Sequence, residues 1–135
     1  MGTSFRMTEH AYLVLLALTP EPLHGYAVIG AVRELAAGRT VLAAATLYGN
    51  LDRLTAAGLV EAAGEEVVDG RLRRYYRITD HGRRAVDEET ERLAALAARA
   101  RAALRRGAAR PGTGEVAGGL AFGSGSRAAR AGGVA

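Results

Sequence analysis

Glu65-Glu66-Val67-Val68-Asp69-Gly70-Arg71-Leu72-Arg73-Arg74-Tyr75-Tyr76-Arg77-Ile78-Thr79 decides the fold of this chain. Asp69-Gly70 is a two-residue turn signal, because a type I′ turn needs positive φ at both central positions. Val67 and Val68 on one side, and Tyr75, Tyr76 and Ile78 on the other, are residues that suit strands. The stretch therefore reads as a β-hairpin whose return strand carries four arginines. Side chains alternate along a strand, so Leu72, Tyr76 and Ile78 share one face with Arg74. Arg71, Arg73, Tyr75 and Arg77 share the other. One face can pack on a core while the other presents guanidinium groups and a phenol. Alone, such a hairpin is either a solvated ribbon or a nucleic-acid contact, and its place in the chain decides between them.

Upstream, the spacing predicts three helices. Thr8 caps the first, which runs to about Leu18, with Glu9 in the first turn where the helix dipole favours an acid. Pro20 and Pro22 break it. The second runs from about Gly25 to Ala37, with Tyr26, Ile29, Val32 or Arg33, and Leu35 or Ala36 at helical spacing. Gly38 ends it. The third runs from about Ala43 to Ala57, with Leu47, Leu51 and Leu54 as its buried stripe and Gly58 as its C-terminal cap. The outgoing strand starts at Leu59-Val60-Glu61-Ala62. Downstream, Thr79 caps a long fourth helix that begins at Asp80. Val86, Leu93 and Ala100 are seven apart, and Leu96 and Ala103 fill the partner positions of an alanine-rich heptad seam. It is either an amphipathic face folded onto its own domain or, as the helix's length favours, a surface for pairing with a second copy.

Two helices with a short join, followed by a basic hairpin, make a winged helix-turn-helix. The expected fold class is mostly α with a small β-hairpin and a long C-terminal dimerisation helix. The expected division is a flexible arm over 1–7, the DNA-binding domain over 8–79, the dimerisation helix over 80–106, and a disordered Gly/Ala/Arg-rich tail over 107–135, which lacks the large apolar groups needed to offset chain entropy.

The composition narrows the function. All 18 basic residues are arginine, and cysteine is absent, so disulfides and thiolate metal sites are excluded. The three histidines, His10, His24 and His81, have no i, i+4 pairing that would hold a metal. Residues 1–70 carry a net charge of −4 and residues 71–135 a net charge of +8. The basic half favours a polyanionic partner through counterion release. No phosphate loop, nucleophile elbow or dinucleotide fingerprint is present, and no cofactor is expected. The opening residues have no long apolar run, and Ala11–Leu18 is too short to span a bilayer, so the expected location is cytoplasmic, without membrane contact.

The third helix is the candidate recognition helix. Opposite its leucines it is expected to present Thr46, Gly49, Asn50 and Arg53. Asn pairs with adenine and Arg with guanine in a bidentate way, and a Thr methyl can meet a thymine methyl. Tyr48 beside them either donates to a phosphate or packs its ring under the wing. His24 and Gly25 open the second helix, whose free N–H groups can receive a phosphate; Tyr26 is read as core. Arg71, Arg73, Arg74 and Tyr75 are the wing candidates, with Arg74 on the packed side. The dimer candidates are Val86, Leu93, Leu96, Ala100 and Leu104.

Leu23-His24-Gly25-Tyr26, Thr46-Leu47-Tyr48, Leu51-Asp52-Arg53-Leu54, Gly58-Leu59-Val60 and Arg73-Arg74-Tyr75-Tyr76-Arg77-Ile78-Thr79-Asp80-His81-Gly82 resemble, in order and spacing, the PadR family of transcriptional regulators. The resemblance covers about residues 8–105. It implies a homodimeric repressor that binds double-stranded DNA and, in some members, is released by a small hydrophobic or phenolic effector. Ala43-Ala44-Ala45 stands where the family usually has Ser-Pro-Gly, so a capping hydroxyl is missing, and Thr40 is the alternative cap one turn earlier. Gly49 stands where relatives often have proline. The single C-terminal helix is that of the short branch, and the chain has no Trp for an aromatic ligand slot. The alternative to a DNA regulator is a winged-helix module that binds protein.

Overall fold

The computed structural model describes residues 5–109. Along the chain these form α1 (Glu9–Leu18), β1 (Leu23–His24), α2 (Gly25–Leu35), α3 (Ala44–Ala56), β2 (Val60–Val68), β3 (Arg71–Ile78) and α4 (Asp80–Ala109). Of the described residues, those up to Leu93 make one compact unit and those from Ala94 belong to a second. Among the described residues no helix is long and apolar enough to cross a membrane.

The core of the first unit is built around α1. The Thr8 hydroxyl caps it by accepting from the Ala11 N–H at 3.1 Å. Ala11, Leu13, Val14, Leu15, Ala17 and Leu18 are all buried, so this helix is enclosed nearly all round. Val28 and Val32 of α2, and Leu47, Leu51 and Leu54 of α3, close on it. Truncating any of these leucines to alanine costs about 2–5 kcal/mol, by lost transfer energy and the cavity left behind.

Gly58, at φ 78°, ends α3 in a left-handed cap. The Leu59 N–H returns to the Leu54 carbonyl at 2.9 Å, the six-to-one bond of a Schellman motif, and Leu59 drops into the core. The chain then enters β2 with Val60 buried.

Asp69 and Gly70 both have positive φ, at 51° and 75°, and Val68 pairs with Arg71 across them. The turn is the type I′ connection expected from Asp-Gly. The strands do not run in uninterrupted register: the pairing shifts between Ala62 and Glu65, where Gly64 has φ 108°. This bulge sets one extra residue into β2. Ile78, at the base of the hairpin, is buried and Tyr76 is partly so, but Leu72 near the tip is 58% exposed. The expected packed face is thus confined to the base, because the tip runs past the core.

A third strand was not expected. Leu23 and His24 pair antiparallel with Tyr76 and Tyr75, giving the sheet order β1-β3-β2. Two residues ahead of a helix offer no periodicity from which a strand could be read.

Several boundaries and placements differ from expectation. Ala43 precedes α3 without a side-chain cap, so Thr40 does not act as the alternative cap. Tyr26 is 73% exposed rather than core. Gly25, Val28 and Val32 occupy the buried stripe of α2 and turn Tyr26 outward. Phe5 and Met7 pack against the core, so the arm expected over 1–7 is partly anchored. The fourth helix continues to Ala109, past the expected end at 106. Positions 110–135 of the expected tail, and 1–4 of the arm, lie outside the described residues.

Val86 is 7% exposed and belongs to the core of its own unit, which corrects its assignment to an intersubunit seam. The cause is the start of α4. Thr79 caps it by accepting from the Gly82 N–H at 3.0 Å and itself donates to the Gly58 carbonyl at 2.7 Å. A Cβ on Gly82 would strike the Leu59 carbonyl oxygen and the Ile78 side chain. Glycine lets this turn sit directly on the chain, and Val86, one turn on, is carried inward. Leu93 is half-buried, while Ala100, Leu96 and Leu104 are exposed.

Candidate nucleic-acid interface

Three elements converge on one face of the first unit. The N-terminus of α2, the start of α3 and the arginine strand β3 surround a cleft of about 130 Å³ lined by His24, Gly25, Tyr26, Tyr48, Arg71, Leu72, Arg73 and Arg74. Six of these were candidates from the sequence, drawn from segments up to fifty residues apart. Strand β1 brings them together: by pairing with β3 it fixes the entry of α2 against the wing. His24 then meets the Tyr75 ring edge to face, with centroids 5.5 Å apart and planes at 84°.

Tyr48 is 45% exposed. A Cβ added to Gly25 would collide with its hydroxyl oxygen. The hydroxyl end of Tyr48 thus rests against the first residue of α2, in the cleft it shares with Arg71, Leu72, Arg73 and Arg74. Gly25 is glycine because that approach leaves no room for a side chain. No side chain caps α2 at His24.

On α3, Thr46 and Arg53 are exposed as expected, and they lie outside the cleft. Asn50 is the main correction. It is 3% exposed, and its amide donates to the Thr46 carbonyl at 2.9 Å. It lies three residues after Leu47 and four before Leu54, so it shares their face. The spacing itself held this signal. Asn50 cannot reach a base edge; it is buried, with its amide nitrogen bonded one turn back along its own helix. Gly49 was expected among the presented residues and is half-buried. The Arg53 guanidinium lies 3.6 Å from the point where a Gly49 Cβ would stand, so the missing side chain leaves that space open.

The wing is less basic than its arginine count suggests. Cross-strand partners place Glu61 against Arg77, Glu65 against Arg74 and Glu66 against Arg73. Arg77 bonds Glu61 at 2.8 Å and Arg74 bonds Glu65 at 3.3 Å. Glu65 holds the Arg74 guanidinium still more firmly protonated than usual, chiefly by that hydrogen bond. Glu66 raises the Tyr75 phenol above its ordinary value as acceptor of its proton, burial adds to this, and Arg73 opposes it. Tyr75 therefore stays a hydrogen-bond donor at neutral pH. Arg71 faces Val68, and it is the arginine of β3 without an acid across from it. Arg74, expected on the packed side, is exposed but engaged by Glu65.

The family model for the transcriptional regulator PadR-like family matches residues 14–88. A transcriptional regulator of Mycobacterium tuberculosis is 50% identical over 52 residues, 38% of this chain and 48% of that protein. The chain spans about half or less of the length of the curated relatives it matches. Among solved structures, a PadR family transcriptional regulator from Eggerthella lenta is 31% identical, with a TM-score of 0.57 over 70% of this chain and 83% of that one. The Bacillus subtilis PadR in complex with operator DNA shares the fold at 20% identity and a TM-score of 0.54, over 60% of this chain and 46% of that one. The family match runs from α1 through the first turns of α4 and takes in the whole cleft. The chain belongs to the PadR-like family of transcriptional regulators.

Proposed function

We propose that this chain is a sequence-specific DNA-binding repressor that acts as a homodimer on a two-fold related operator. The observation that carries the reading is the cleft itself. One exposed face holds an α2 N-terminus without a side-chain cap, the Tyr48 hydroxyl and the wing residues Arg71 and Arg73, next to the exposed flank of α3. Helix N-termini and arginines fix a protein on the phosphate backbone, while an adjacent helix enters the major groove. The relative solved on its operator supports this choice of ligand.

In a homodimer the exposed Leu96, Ala100 and Leu104 of α4 provide the pairing stripe. Half-sites would then lie about one helical turn apart, or a multiple of it. A small hydrophobic or phenolic effector is proposed as the releasing signal. A hollow of about 390 Å³, lined by Phe5, Met7, Leu59 and Ala85 together with His81, Glu88, Glu89 and Arg92, is the candidate place for one.

The test is fluorescence anisotropy on the promoter region upstream of its own gene, against unrelated DNA, over a series of salt concentrations. We expect tighter binding to the cognate fragment. Arg71→Ala should lower the salt slope by about 1 and weaken all sequences alike. Equal affinity for every DNA, with an unchanged slope in Arg71→Ala, contradicts the reading. A panel of phenolic compounds that leaves the complex intact removes the effector from it.

A further inference from the structure

The outward strip of α3 is nearly bare of hydrogen-bonding chemistry. Leu47, Asn50, Leu51 and Leu54 are buried, so Ala45, Gly49, Asp52 and Ala56, spaced four, three and four residues apart, point the opposite way. Tyr48 flanks this strip rather than lying in it, with its hydroxyl end beside Gly25 in the cleft. Asp52 is exposed in the middle of the strip, and no ion pair engages it among the described residues. Arg53 is exposed next to it.

A carboxylate on a helix that enters the major groove repels phosphates and adds nothing to general affinity. An exocyclic amine satisfies it there, and the pairing for an aspartate is the N4 amine of cytosine. Arginine has the complementary preference, donating to O6 and N7 of guanine. A G·C pair thus shows two acceptors and one donor in the major groove, and Arg53 with Asp52 offers donors and one acceptor.

We infer that Asp52 is a specificity determinant of this chain, reading a cytosine amine in each half-site while Arg53 reads a guanine. The inference rests on the DNA-binding reading above. Asp52 also penalises sites that lack the amine, because an unpaired, desolvated carboxylate is costly. It raises the ratio of specific to non-specific binding rather than the affinity itself.

The experiment is selection from DNA with randomised half-sites, using the full chain as wild type, Asp52→Asn, Asp52→Ala and Arg53→Ala. The wild type should fix a cytosine and a guanine. Asp52→Asn should exchange that cytosine for adenine, because an amide pairs with adenine N6 and N7. Asp52→Ala should relax the position by about tenfold or more and bind unrelated DNA several-fold tighter. Arg53→Ala should relax the guanine. Asp52 is exposed, so melting curves of its variants should match the wild type and show that folding is unaffected. If the wild type selects a motif that survives both Asp52 variants at every position, the inference is overturned and the DNA-binding reading stands. If the wild type selects no motif, the DNA-binding reading fails and this inference fails with it.

Discussion

Ala37 follows the C-cap of α2 with φ 53°, a left-handed conformation that a Cβ disfavours. The Gly38 N–H returns to the Arg33 carbonyl at 2.8 Å, so the helix end is well bonded and the strain sits in one residue. Ala37→Gly should therefore stabilise the fold by about 1 kcal/mol, measured as a raised denaturation midpoint with an unchanged m-value. Asn50 calls for the opposite change. Removing its amide deletes the bond to Thr46 and leaves a small void, so Asn50→Ala should cost about 1–3 kcal/mol without altering base preference in a site selection. These two positions differ in how far the sequence disclosed them. The face occupied by Asn50 follows from its distance to Leu47 and Leu54. The left-handed Ala37 does not, because the following Gly38 looks like the natural stop and both residues share the turn.

At the scale of elements, the hairpin was the most readable part and also the part whose charge was most misjudged. Asp69-Gly70 fixed the turn and the two-residue loop. The acids of β2 face the arginines of β3 only once register is known, and the bulge at Gly64 shifts that register. Glu66 stands across from Arg73 and accepts from the Tyr75 phenol, so in the proposed complex it would compete with a phosphate for both. Glu66→Gln should thus tighten DNA binding several-fold at low salt, with the gain shrinking as salt screens it. An unchanged affinity would mean that Arg73 and Tyr75 stand off the backbone. On α4, the Glu89 carboxylate accepts two hydrogen bonds from Arg92, at 3.0 and 2.7 Å, and this holds its pKa below the usual carboxylate range. A carboxyl with a lowered folded-state pKa contributes stability above its unfolded value and loses it as pH falls through the folded one. The melting temperature of the wild type should exceed that of Glu89→Gln at pH 7, and the gap should close as the pH falls below the carboxylate range. The helices themselves were legible from capping and spacing to within a few residues, since Thr8, Gly58 and Thr79 each act as their positions imply.

For the whole molecule, the order of elements was legible because each is signalled locally. What brings His24 to Tyr75, and Gly25 to Tyr48, is long-range pairing, and no local pattern encodes it. Leu96 and Leu104 are exposed on α4, and Val86 belongs to the core of the first unit. This separates a residue of internal packing from exposed ones that the proposed homodimer would use. The two-residue strand β1 has a larger effect than its length suggests. It makes β3 the central strand, held on both edges, and it is continuous with α2. The hairpin base therefore cannot swing independently of the helix-turn-helix. A protein that lays both on one duplex works as a caliper of fixed span. Its fit depends on groove width, so base pairs that no side chain touches should still alter affinity through the shape they give the DNA.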